Sequence, residues 1–139
     1  MIHISVVPPE MVDVVWVEAL TLFSKAFDYA MGKVEPEDVY NDIMSGRQTL
    51  WVVFDDATEK MIGSFTIRVK EYKSHSALCG EHLGGERLDE WADNLFEIME
   101  SYARDLGIHK LELMGRRGWE RTLRPKGWKP TLAIFEKEI

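Results

Sequence analysis

The sequence predicts an α+β domain with a mixed, mostly antiparallel twisted sheet and flanking helices, in the order β-α-α-β-β-β-α-β-α-β. Three observations carry this expectation. Long stretches with helical apolar spacing alternate with stretches of period two. A hairpin pattern fills the middle of the chain, around the turn Asp55-Asp56-Ala57-Thr58. After that meander the chain reads as a βαβ unit, which calls for a mixed sheet.

Ile2, Ile4 and Val6 alternate with His3 and Ser5, as in a short half-buried strand, and Pro8-Pro9 ends it. Pro is suited to open the next helix, where its missing N–H is no loss. From Pro9 to Met31, Val12, Val15, Trp16, Ala19, Leu22, Phe23, Ala26, Phe27 and Ala30 recur at helical spacing, and Gly32 stops the run. A shorter helix opens at Pro36, with Val39, Tyr40 and Ile43 on its apolar face, and ends at Gly46. Leu50 to Phe54 is a bulky apolar strand. Met61 to Tyr72 places Phe65, Ile67 and Val69 on one face and Thr66, Arg68 and Lys70 on the other. Ala77 to Leu83 reads as a weaker strand broken by Gly80. A helix from Leu88 to Leu106 has Trp91, Leu95, Ile98, Met99 and Tyr102 along one face and Gly107 as its cap. Ile108 to Met114 and Leu132 to Phe135 complete the set as strands.

A chain of 139 residues fits one domain, 1–139, and is long enough to bury a sizeable core without staples. A 45% hydrophobic and 29% charged composition is that of a globular protein rather than a disordered one. The net charge of −7 disfavours nucleic acid as a partner. A single cysteine, Cys79, excludes an intrachain disulfide; inside an apolar strand it reads as a small core residue. No secretory leader and no apolar run of membrane-spanning length is read, so a cytoplasmic protein without membrane contact is expected. His3, His75, His82 and His109 show no ligand spacing, so no metal is expected.

The stretch SYARDLGIHKLELMGRRGWERTLRPKGW, with the element order, resembles the GNAT superfamily of N-acetyltransferases. There a helix ends in a phrase such as A-R-x-x-G, a strand follows, and a short helix ends in G-F or G-W. Here these are Ala103-Arg104-Asp105-Leu106-Gly107, Ile108 to Met114, and Gly127-Trp128. More narrowly, HLGGERLDEW followed by GRRGWERTL is similar to small GNAT-like proteins of tailed bacteriophages, some of whose relatives are called internal virion proteins. The similarity covers most of the chain from Gly46 onward. A phage protein would work in the host cytoplasm or the virion.

The resemblance implies acetyl-CoA as acyl donor. In the superfamily a loop of pattern R/Q-x-x-G-x-G/A opens the third helix, and its amides and helix dipole hold the pyrophosphate. That pattern falls on Arg87-Leu88-Asp89-Glu90-Trp91-Ala92, where Arg87 and Ala92 match and Glu90 replaces the central glycine. The implied cofactor-binding positions are Leu83, Gly84, Gly85, Arg87 and Ala92. The base that deprotonates the acceptor amine is expected near the end of the fourth strand, at Glu81 or His82, which simple alternation puts on opposite faces. The superfamily's proton-donating tyrosine position falls on Leu123, which cannot donate.

Arg116, Arg117, Arg121, Arg124, Lys126 and Lys129 form a basic cluster on an acidic chain. Arg116, Arg117, Trp119 and Arg121 are its candidates for contact with a substrate or partner. Trp119 and Trp128 are expected to anchor this segment on the sheet. Two functional readings follow: an acetyl-CoA-dependent N-acetyltransferase with a degenerate cofactor loop, or a non-catalytic phage protein that uses the same fold as a binding module, virion-associated or host-modulating.

Overall fold

The fold was described from a computed structural model covering residues 1–24, 32–115 and 117–139, with the backbone alone at Arg117. Five strands form one sheet in the order β1-β2-β3-β4-β5: β1 is Ile2–Val6, β2 Thr49–Asp55, β3 Lys60–Glu71, β4 Ser76–Gly85 and β5 Leu111–Leu113. The first four run antiparallel to their neighbours, and β5 joins β4 in parallel. Helix α1 (Val12–Phe23) follows a 3-10 turn at Pro9–Met11, and α2 is Pro36–Met44. Helix α3 (Leu88–Asp105) connects β4 to β5. The short α4 (Glu120–Leu123) lies between 3-10 turns at Arg117–Trp119 and Arg124–Lys126.

Local chemistry explains the ends of these helices. Pro36 opens α2, and Glu35 and Asp38 form a reciprocal capping box in which Asp38 accepts the Glu35 N–H at 3.0 Å. Gly107, at φ 71°, takes the left-handed turn that ends α3. Of the expected first helix, residues 25–31 lie outside the described residues.

The sheet carries a core on each face. On one, Trp91, Leu95, Met99 and Ala103 of α3 pack over Ile62, Phe65, Ile67 and Leu78. On the other, Val12, Ala19 and Phe23 of α1 and Val39 and Ile43 of α2 pack with Val7 and Leu50. Trp51, Phe65 and Trp91 form a near-parallel column, with centroids 5.9 and 6.4 Å apart. Gly63 makes room for the last ring, since a Cβ there would lie 2.6 Å from Trp91 Cζ2. Helix α1 sits directly on β4, because a Cβ at Gly84 would lie 2.2 Å from the Leu22 carbonyl oxygen. Ser64 Oγ adds a buried 2.6 Å hydrogen bond to the Ala19 carbonyl.

Three expectations are corrected. Gly80 does not break β4; it pairs with Leu113, whose side chain takes the space a Cβ would need. The expected last strand, Leu132 to Phe135, does not form, and its apolar side chains are exposed. Trp128 packs on Phe96 of α3 at 5.2 Å rather than on the sheet, while Trp119 folds back against Gly115. Among the described residues no helix is long and apolar enough to cross a membrane.

Candidate functional site

The β4–β5 ladder is short. Leu78 N–H donates to the Lys110 carbonyl at 2.9 Å, and Met114 N–H donates to the Gly80 carbonyl at 3.0 Å. Beyond Gly80, β4 continues to Gly85 on β3 alone, while β5 ends at Leu113. One side of β4 is therefore released from its parallel neighbour over Glu81 to Gly85. Helix α3 begins three residues later, at Leu88.

The same stretch contains a bulge. Phe65 pairs with Leu83 but Ile67 pairs with Gly80, so β4 holds one residue more than β3 across this interval. This extra residue corrects the expectation that Glu81 and His82 face opposite ways. Glu81 Oε2 lies 3.7 Å from His82 Nε2, and both side chains are nearly buried on the α1–α2 face. The His82 ring lies 6.3 Å from Phe23 of α1. Glu81 Oε1 is 3.3 Å from Arg68 Nε and 3.4 Å from Lys70 Nζ. Arg68 in turn donates to Asp42 of α2 at 2.5 Å.

These contacts set the protonation states. Burial is the main cause that lowers the His82 pKa below its ordinary value, with the Glu81 charge opposing it. The imidazole is therefore neutral near neutral pH and able to accept a proton. Burial acts to raise the Asp42 pKa, but hydrogen bonds from Gln48, Arg68 and Arg47 outweigh it and hold the carboxyl below its usual value. Alternation had placed Thr66, Arg68 and Lys70 on one face. Arg68 and Lys70 meet Glu81 there because Glu81 keeps the face of Cys79, which pairs with Arg68; the bulge is what brings His82 to the same face, and that was not readable.

The candidate cofactor positions are mostly committed to packing. Leu83 lies against the α3-side core, Gly84 lies under α1, and Ala92 is buried. Gly85, at φ 139°, is pressed onto β3, where a Cβ would lie 2.3 Å from the Ile62 carbonyl oxygen. The next N–H, of Glu86, donates to that same carbonyl at 2.8 Å. Arg87 takes a left-handed conformation at φ 58° as the N-cap of α3. Its guanidinium donates to both oxygens of Glu90, at 2.6 and 3.0 Å, and to Asp55 at 2.8 Å. The Arg87 hydrogen bond holds the Glu90 and Asp55 carboxyls below the usual carboxylate range.

Backbone donors are what the site offers an anion. No side chain caps α3. The first amides of a helix lack acceptors within it, here those of Leu88 and Asp89, whereas the Glu90 N–H returns to the Arg87 carbonyl at 2.9 Å. These amides fit a phosphate group, although Asp89 and Glu90 crowd the same positive helix end. Trp91 does not obstruct it: its ring turns into the core and its Nε1–H donates to the Glu86 carbonyl.

In the basic segment, Arg116 lies outside the described residues, and Arg117 opens the 3-10 turn that holds Trp119. Arg121 is exposed on α4. Lys126 pairs with Asp93 of α3, and Arg124 approaches Glu120 at 3.7 Å. Leu123 packs against the α3-side core.

No protein-family model matches the chain, and no curated protein matches it in sequence. Solved structures match over its whole length. Glucosamine-6-phosphate N-acetyltransferase from Arabidopsis thaliana aligns over 99% of this chain and 98% of its own, with TM-score 0.67 and 12% identity. A predicted acetyltransferase with acetyl-CoA from Clostridium acetobutylicum aligns over 99% and 96%, with TM-score 0.67 and 11% identity. An aminoglycoside acetyltransferase from an uncultured soil metagenomic sample, in complex with sisomicin, aligns over 99% and 96%, with TM-score 0.70 and 12% identity. Likeness at such identities is likeness of fold, and the fold of this chain is that of the GNAT acetyltransferases.

Proposed function

We propose that the protein is an N-acetyltransferase that transfers an acetyl group from acetyl-CoA to an amine, in the opening where β4 leaves β5. One observation carries the reading. The strand released beyond Gly80, the bulge that turns Glu81 and His82 to one side, and the uncapped start of α3 lie within nine residues of one another. Acetyl-CoA, when bound, supplies an acyl group activated as a thioester. The amides of Leu88 and Asp89 would hold its phosphates, with Leu83 to Gly85 between them and the bulge. His82 Nε2, neutral through burial, takes the amine proton, and Glu81 steadies the resulting imidazolium. The amide C–N bond would form as the thioester C–S bond breaks, and the departing CoA thiolate would take its proton from solvent, since Leu123 offers none.

Thermal unfolding in the presence of acetyl-CoA tests this reading. Ligand at 100 times Kd adds about 2.7 kcal/mol of stability. Glu90→Gly releases two of the Arg87 guanidinium's three hydrogen bonds and removes a carboxylate from the helix end, so it should tighten binding. An absence of any shift at millimolar acetyl-CoA, in both the parent and Glu90→Gly, refutes the proposal.

A second reading has its own support. The guanidinium of Arg87 is occupied by Asp55 and Glu90, which suits a non-catalytic module whose cofactor loop has become structural. In that case Arg117, Trp119 and Arg121 are the surface for a protein partner, and the resemblance to tailed-phage proteins supports a virion or host setting. A null acetyl-CoA titration, with binding to a partner lost in Arg121→Glu, selects this reading.

A further inference from the structure

Strand β1 forms one margin of the sheet and pairs, among the described residues, with β2 alone. The ladder decides which of its backbone groups are taken. Val7 N–H donates to the Leu50 carbonyl at 2.8 Å, and Asp56 N–H donates to the Met1 carbonyl at 3.1 Å. Backbone groups alternate in direction along a strand, so the odd-numbered residues point at β2. The N–H and C=O groups of Ile2, Ile4 and Val6 therefore point away from the sheet. Native edges are commonly guarded by a lysine, a proline or a bulge. The run Ile-His-Ile-Ser-Val contains neither residue, and its register with β2 is unbroken.

This open edge borders a groove. About 350 Å³ lies between β1 and α3, lined by residues 2–5 of the strand and by Asn94, Glu97 and Ile98 of the helix. Ile2 and Ile4 turn to this α3 side and pack on its core. Ile98 is half-buried, whereas Val6, next on the same side of the strand, is 47% exposed. Glu97 is exposed and has no cationic partner among the described residues. Its neighbours on α3 do have one, Asp93 with Lys126 and Glu100 with Arg104.

We propose that β1 is the docking edge for an extended, basic segment of a partner protein, which joins the sheet as an added strand. Main-chain bonds to Ile2, Ile4 and Val6 supply the hold, and side chains in the groove supply the selection. In antiparallel pairing the residue opposite Ile4 lies on the α3 side, since directly opposed residues share a face. An arginine or lysine there lays its stem along Ile98 with its charge toward Glu97. Apolar residues opposite Ile2 and Val6 cover the rest of the exposed apolar surface. A second copy of β1 is a poorer occupant. Its own residues on that side, Ile2, Ile4 and Val6, carry no charge, and it brings a further Glu97 to the groove. The net charge of −7 on each chain also favours a basic segment over a like-charged copy. The edge lies across the sheet from β5, so the proposal stands whichever functional reading holds.

Amide hydrogen exchange followed by NMR tests the docking with a synthetic peptide. The peptide has blocked ends and the sequence Thr-Val-Thr-Arg-Thr-Val-Thr, which sets its arginine opposite Ile4. In the chain alone, the Ile4 and Val6 amides should exchange freely while those of Ser5 and Val7 are protected. Saturating peptide should slow exchange at Ile4 and Val6 by roughly tenfold or more. Glu97→Lys should weaken binding by roughly threefold to tenfold, as a partly exposed ion pair becomes a repulsion, and strengthen by a like factor a peptide with glutamate in place of arginine. Val6→Pro removes one outward N–H, a change an edge strand tolerates on that side, and should weaken both peptides with the circular dichroism spectrum unchanged. Three results would each overturn the proposal: Ile4 and Val6 amides already protected in the chain alone, as a pairing of two β1 edges requires; exchange there unchanged by the peptide; or arginine and glutamate peptides that bind the parent chain equally.

Discussion

Adding one methyl group at Gly84 would press α1 off the strand that forms one side of the candidate site. The new Cβ would lie 2.2 Å from the Leu22 carbonyl oxygen and 2.6 Å from Phe23 Cα. Carbon contacts are comfortable at about 3.5 Å, so the helix would have to retreat by roughly 1 Å. Both obstructing atoms are backbone, so no side-chain rotation relieves the clash. Ala19 and Phe23 are fully buried, and any retreat of α1 opens the core beneath them. Overpacking by one carbon costs about 1–3 kcal/mol, and a backbone clash belongs in the upper half of that range. Gly84→Ala should thus lower stability by about 2–3 kcal/mol, which corresponds to a fall in Tm of roughly 6–15 °C at this chain length. Urea titration followed by circular dichroism should show a lower midpoint with an unchanged slope. Gly107→Ala is the control: it has open space but φ 71°, and left-handed strain alone costs about 1 kcal/mol. If Gly84→Ala stays within about 0.5 kcal/mol of the parent, α1 is not seated on β4 as described.

Two other predictions concern buried titratable groups. Burial lowers the His82 pKa, so the unfolded chain takes up a proton before the folded one does. Stability should be complete above the ordinary value of 6.5 and decline as pH falls through the lowered folded value. Glu81, Arg68, Asp42 and the Phe23 ring surround this group and are unchanged in His82→Asn, whose urea midpoints should fall less below pH 6.5; parallel curves would show that another group sets the slope. Cys79 is fully buried, and burial pushes its thiol up to about 12. A thiol-reactive dye at neutral pH should therefore label the chain in urea and not in buffer, and rapid labelling of the folded chain would refute its placement.

The architecture was legible where apolar periodicity is strong. The alternation of residues 61–72 assigned Phe65 and Ile67 to one face and Arg68 to the other, and the faces agree. The spacing of Trp91, Leu95 and Met99 located α3 to within a residue. What failed has specific causes. A bulge is a backbone event with no composition of its own, so Glu81 and His82 were assigned to opposite faces. The Arg87–Asp55 bond joins residues 32 apart, which no local spacing reveals, whereas the Arg87–Glu90 pair lies at an ordinary helical interval. Leu132 to Phe135 has the pattern of a strand, but a strand needs an edge to pair with, and pattern alone does not supply one.

The bulge also determines which changes in chain length β4 can absorb. Its two halves run out of phase, one read against Ile67 and the other against Phe65. Deleting a single residue between them would restore uniform alternation while leaving Leu83 opposite Phe65 and Gly84 opposite Ser64. A deletion within Leu83 to Gly85, by contrast, would reassign every position up to the first turn of the following helix. Descendants of this sequence that lose one residue from β4 should therefore lose it at the bulge.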